Sequence, residues 1–214
     1  MKGVRLLGMA TGISLLAGGV LAGGKDTKQA LDIKDGVLDE IHLKVKQVAG
    51  GVPVVLRKFA TEGVDLGTGA EGGKEQRVEA VQALRKVAPD LLAERAAAVL
   101  KEEGVFKEVL TGDVSTIPEN ALIVEGRFTM IDPGSRAKRY WGGFGAGKSG
   151  VGVEGKITNA AGEVLAEFKH RKHSGVGIGG GDYFKFMSDD TKDVGEDIAK
   201  FLGAWATGKD LTKN

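Results

Sequence analysis

YWGGFGAGKSGVGVEGKITNAAGEVLAEF, residues 140–168, carries two incompatible signals, a phosphate loop and a β-hairpin. Gly142, Gly147, Lys148 and Ser149 satisfy the phosphate-loop spacing G-x-x-x-x-G-K-[ST] letter for letter. That motif works when a buried strand precedes it and a helix follows it, so that helix N-terminal amides hold the phosphates. The preceding residues, Arg136, Lys138, Arg139, Tyr140 and Trp141, do not read as a buried strand. Downstream, Val151, Val153, Gly155 and Ile157 recur at period two, Asn159-Ala160-Ala161-Gly162 interrupts, and Val164, Ala166 and Phe168 resume the period. Alternation on both sides of a turn predicts a β-hairpin, with Gly162 in the left-handed position and Glu154, Lys156, Glu163 and Glu167 facing water. The hairpin takes precedence over the letters of the motif, and a nucleotide-binding enzyme acting through Gly142 to Ser149 is kept as the alternative.

Working outward, the clearest helix lies C-terminal to the hairpin. Val194, Ile198, Phe201, Leu202 and Trp205 form an apolar stripe opposite Lys192, Glu196 and Lys200, which is the pattern of a helix laid on a core. Trp205→Ala is accordingly expected to cost about 3–5 kcal/mol. Upstream, Val52 to Phe59 reads as a first strand and Gly63 to Gly73 as a loop. Lys74 to Val87 reads as a helix that Pro89 breaks or restarts. A second helical run carries Leu92, Ala96 and Val99 and ends at Gly104. Phe106 to Leu110 and Ala121 to Ile131 are two more strands, and Asp132-Pro133-Gly134-Ser135 is a turn. The expected fold is α/β in the α+β sense: one domain over 45–206, a mixed sheet with a C-terminal hairpin, helices packed on it, and element order β-α-β-β-β-β-α. A polar segment over 23–44 and a polar tail over 207–214 are expected to flank it.

The first 22 residues read as an address. Lys2 and Arg5 precede the apolar stretch Leu6 to Leu21, and Val20-Leu21-Ala22 supplies small residues for cleavage, the pattern of a secretory signal peptide. A retained N-terminal anchor is the alternative. Cleavage after Ala22 removes Lys2 and Arg5, so 30 basic groups become 28 against 29 acidic ones, a net charge of −1. That balance argues against nucleic acid as a partner. With no cysteine in the chain, a thioether lipid anchor, disulfides and thiolate metal sites are chemically impossible. No other segment is long and apolar enough to span a bilayer.

Chemistry is sparse. His170 and His173 are three apart on a strand, so they point to opposite faces; His42 is remote in sequence, and Lys169, Arg171 and Lys172 oppose a cation, so no metal site is expected. Neither Lys148-Ser149-Gly150 nor His173-Ser174-Gly175 completes a G-x-S-x-G nucleophile elbow. Asp189-Asp190 reads as an N-terminal cap region and Glu102-Glu103 as a solvated helix end; no acid–base pair, catalytic residue or cofactor is assigned. The glycine runs at 142–147 and 175–181 flank the hairpin. With Arg139, Tyr140, Trp141, Phe144, Tyr183 and Phe184 they suggest an aromatic contact surface, on which Trp141→Ala should weaken a partner interaction and spare the fold. Arg136 to Arg139 could locally contact an anionic envelope polymer, a second alternative.

Arg139-Tyr140, Gly143-Phe144-Gly145-Ala146-Gly147, the strand Val151 to Ile157, and Ala160 to Phe168 resemble the domain of unknown function 4410 family of bacterial exported proteins, together with Gly104, Phe106 and the closing helix. The resemblance covers about 50–206. It implies a periplasmic or outer-membrane-associated protein of α/β fold with no catalytic residues to carry over. Members are often lipoproteins, whereas this chain has Gly24 where the lipid-bearing cysteine would stand. The reading is an exported, non-catalytic interaction module whose partner is another envelope protein or a second copy of itself.

Overall fold

The structure, a computed structural model, describes residues 31–67, 75–134, 149–174 and 182–212. Period-two patterning builds its centre. In β5 (Leu122–Asp132), β6 (Ser149–Asn159) and β7 (Val164–Ser174), Leu122, Val124, Phe128, Val151, Val153, Ile157, Ala166 and Phe168 belong to one buried cluster. Thr129 is an extra residue in β5, because Phe128 pairs with Val153 and Met130 already with Gly152. This bulge keeps Phe128 and Ile131, three apart, in the same core. The β6–β7 turn is the expected one: Asn159 accepts from the amides of Ala161 and Glu163 at 3.0 Å, and Gly162 takes φ +84°.

Among the described residues four shorter strands complete a seven-stranded sheet: β1 (Leu31–Lys34), β2 (Glu40–Leu43), β3 (Pro53–Leu56) and β4 (Glu108–Thr111). The order is β1-β2-β7-β6-β5-β3-β4. Every pair from β1 to β5 is antiparallel, and β3 runs parallel to both β5 and β4. The mixed α+β architecture therefore stands, with two strands at the N-terminus that the expected order lacked. They lie in the stretch read as a polar segment. Leu31-Asp32-Ile33-Lys34 and Ile41-His42-Leu43 alternate, and Ile33, Ile41 and Leu43 are buried in the main core. The tail also contributes: Leu211 is buried and its carbonyl accepts from Val37 N at 3.1 Å.

Two helices lie on one face of the sheet. Helix α1 (Glu75–Glu103) contacts β3, β4 and β5, helix α2 (Tyr183–Thr207) contacts β6 and β7, and the two pack on each other. The expectation that Pro89 breaks the first helix is corrected: α1 runs through it. Proline removes one helical donor and crowds the preceding turn, at roughly 3 kcal/mol. Val81, Leu84, Ala88, Leu92, Ala96 and Leu100 are all buried along the continuous helix, and at about 1.5–3 kcal/mol for each large apolar side chain that burial outweighs one proline. Gly104 closes α1 in the left-handed region at φ +64°, as expected.

In α2 the stripe Val194, Ile198, Phe201, Leu202 and Trp205 is 0–1 % exposed. Trp205 stacks on Phe201 at 5.5 Å between ring centroids, and its indole N–H donates to the Lys46 carbonyl at 3.1 Å. The cap is Asp182, whose carboxylate accepts from Lys185 N at 3.0 Å. Asp189 and Asp190 lie two turns further in and are not the cap; Asp189 pairs with Lys185 at 2.7 Å, and Asp190 is buried.

Candidate functional site

Both helices cover one face, and the other face of the sheet is the exposed one. At the β4–β3–β5 end a small second cluster of Val55, Ala121 and Ile123, with Leu110, Val114 and Ile117, covers it. Across β5, β6, β7, β2 and β1 the strand register lines up charged side chains in two rows. One row reads Glu125, Lys156, Glu167, His42, Asp32, extended by Arg57, which lies 3.7 Å from Glu125. The other reads Arg127, Glu154, Lys169, Glu40, Lys34. Sign alternates along each row when His42 carries its proton. Opposite charges directly across adjacent strands stabilise pairing by a few tenths of a kcal/mol each, and like charges there destabilise it.

The pairs are formed. Arg127 meets Glu154 at 2.7 Å, Lys156 meets Glu125 at 3.1 Å, Lys169 meets Glu40 at 3.1 Å and His42 meets Asp32 at 2.7 Å. The hydrogen bond from Lys169, and then its charge, hold the Glu40 carboxyl below its ordinary value. The rows border a groove of about 790 Å³ lined by His42, Arg57, Glu125, Lys156, Glu167 and Lys169 among others. Within the two rows the cations Arg57, Lys156, Arg127, Lys169 and Lys34 match the anions Glu125, Glu167, Asp32, Glu154 and Glu40, five against five, and beside them Lys44, 3.4 Å from Glu167, and Arg171, in register with Gly152, add positive charge to the face. An array of alternating sign selects a partner with the complementary array.

The covered face holds a second polar group. His170 is buried under α2, and its Nε2 lies 2.9 Å from Asp197 Oδ2. A carboxylate only accepts, so Nε2 carries the hydrogen. Lys172 reaches the same carboxylate at 2.7 Å, and Asp39 lies 3.5 Å from His170 Nδ1. Burial pushes Asp197 up, but the hydrogen bonds from His170 and Lys172 outweigh it and leave the carboxyl below its ordinary value. This trio ties β7 to α2.

The histidines do not converge. His170 faces α2, whereas a Cβ on Gly150 would lie 2.4 Å from His173 Nδ1, which puts that ring over β6 on the opposite face. His42 shares the open face but pairs in register with Glu167, six residues from His173 and so about 20 Å along the strand. Among the described residues no three His, Asp or Glu side chains are arranged to hold a metal ion; Asp39 and Asp197 lie against opposite nitrogens of His170.

Of the residues singled out in the sequence, Arg139, Tyr140, Trp141, Phe144, Gly142, Gly147 and Lys148 lie outside the described residues, as do Arg136 to Lys138 and the glycine run 175–181. Ser149 is buried and opens β6, so the chain after Lys148 is a strand and not the helix that a phosphate loop requires. Tyr183 and Phe184 sit in the first turn of α2, half-buried against the main core, and the Arg77 guanidinium lies 5.1 Å above the Tyr183 ring. The charge rows are only half legible in the sequence. Glu154, Lys156 and Glu167 belong to the expected hairpin and face water as its alternation requires; Asp32, Lys34, Glu40 and His42 lie in strands whose alternation runs for only four residues each.

No curated protein matches the chain by sequence. Among solved structures, the PelC dodecamer from Paraburkholderia phytofirmans is 12% identical with a TM-score of 0.38, covering 72% of this chain and 94% of that chain. Protein XCC0632 from Xanthomonas campestris, of the DUF330 family, is 12% identical with a TM-score of 0.45, covering 76% and 88%. At that distance neither likeness bears on the assembly or activity of this chain. The family described as Domain of unknown function (DUF4410) matches residues 54–177, more than half of the 214 and including β3 to β7, and the chain belongs to that family.

Proposed function

We propose that this protein is an exported, non-catalytic interaction module of a bacterial envelope, acting in the periplasm or at the outer membrane by binding another protein. The observation that carries this reading is the open sheet face, where ionisable groups of opposite sign are paired across strands. Catalytic groups are typically desolvated and perturbed in a cleft; these are exposed and satisfied by their neighbours, which suits a recognition surface. Export is supported by the leader, Lys2 and Arg5 followed by Leu6 to Leu21 and a small-residue site at Ala22. Among the described residues no helix is long and apolar enough to cross a membrane.

Fractionation of bacteria expressing the full chain with a C-terminal tag tests the location. Recovery in the periplasm with an intact mass beginning at Gly23 is the expected result; full-length chain in the cytoplasm overturns export. The nucleotide alternative is tested separately, by equilibrium binding of ATP and GTP with Mg²⁺. Because Ser149 starts a strand, no saturable binding is expected at millimolar nucleotide, a Kd scale of roughly −4 kcal/mol. Saturable binding abolished by Lys148→Ala would overturn the non-catalytic reading.

A further inference from the structure

We propose that strand β1 pairs antiparallel with β1 of a second copy of this chain, in the single register that continues both charge rows from one sheet into the next. Among the described residues β1 is the outer strand of the sheet, so its outward backbone groups offer a template for another strand. Both rows end on it, two residues apart and with opposite signs: one at Asp32, the other at Lys34. Asp32 meets His42, which is charged only when protonated. Lys34 lies in register with Glu40, whose carboxylate is held by Lys169.

A two-fold axis through Ile33, normal to the sheet, sets Asp32 opposite the partner subunit's Lys34 and Lys34 opposite the partner subunit's Asp32. The first row then runs Arg57, Glu125, Lys156, Glu167, His42, Asp32, and onward through the partner's Lys34, the partner's Glu40, the partner's Lys169, the partner's Glu154 and the partner's Arg127, with sign alternating throughout when His42 is protonated. The second row follows by symmetry. On the helix side Ile33 meets the partner's Ile33, and Leu31, 52% exposed, gains an apolar diagonal neighbour. Sliding by two residues sets Asp32 against itself or Lys34 against itself, and sliding by one puts the covered face of one copy beside the open face of the other. The other edge strand, β4, ends no charge row, and a loop-covered apolar cluster lies beside it. The contact is isologous and closes as a dimer with one continuous sheet. Four residues a side bury little area, so the affinity is weak and falls with salt.

The inference names the partner for the interaction-module reading and rests on that reading for its biological sense. Its test uses purified protein and is indifferent to export. Sedimentation velocity of the chain purified from cells expressing the full sequence, from about 10 µM to about 1 mM, should show a monomer–dimer equilibrium. Asp32→Lys and Lys34→Glu, both at exposed positions, should each weaken it about tenfold or more by placing like charges opposite one another. Mixing those two variants should restore the dimer. The lysine introduced by Asp32→Lys then faces the glutamate introduced by Lys34→Glu, and the Lys34 and Asp32 that each variant retains still face one another. Far-UV circular dichroism checks that each variant is folded. A wild-type monomer throughout overturns the proposal. So does a dimer indifferent to both substitutions, or a mixture that stays monomeric.

Discussion

At the scale of single residues, Asp197 shows what pairing does for a buried charge. Its side chain is 11% exposed and serves both His170 and Lys172. Asp197→Asn should lower stability at neutral pH by about 1–3 kcal/mol, because two donors lose their charged acceptor. The pH dependence has a definite sign. The folded carboxyl lies below the unfolded value near 3.8, so the unfolded chain binds protons first as pH falls. The stabilisation is therefore complete above that value and is lost as pH drops through the folded one. Urea unfolding of wild type and Asp197→Asn along a pH series should show a gap that is constant near neutrality and closes under acid. A gap independent of pH would remove the ion pair from the explanation.

At the scale of elements, the contact between α1 and α2 turns on Gly195. A Cβ placed there would lie 2.5 Å from the Leu92 carbonyl oxygen and 3.3 Å from Ala96 N, so the helices approach as closely as backbone allows. Two effects oppose each other in Gly195→Ala: helix propensity favours alanine by about 1 kcal/mol, and overpacking costs about 1–3 kcal/mol. Since the clash is with rigid helical backbone, overpacking wins, and the urea midpoint should fall with an unchanged m-value. Pro89→Ala should do the reverse, raising the midpoint by the equivalent of up to about 3 kcal/mol as the missing donor returns to α1. A fall on that substitution would mean that α1 depends on the proline's geometry.

At the scale of the whole molecule, stability is graded across the sheet. β5, β6 and β7 are long, central and packed under both helices, whereas β1 and β4 are four-residue edge strands. Hydrogen exchange in dilute protein should leave the β6 amides slowest and release those of β1 first, because edge strands open without unfolding the core. Uniform protection would contradict that gradient. The sequence determined the hairpin, the capping glycine at 104 and the stripe of α2, since each is a local periodicity that survives without knowledge of its neighbours. It did not decide the passage of α1 through Pro89, where burial of distant residues outweighs a local rule. Nor did it decide the place of β1 and β2: four residues of alternation become a strand only when β7, more than a hundred residues away, supplies the backbone partners. The charge rows belong to the same class. Each contributor is an ordinary surface residue in its own strand, and register between strands distant in sequence is what converts them into a patterned face. Only the tertiary structure sets register, because it is fixed by which apolar face each strand must bury.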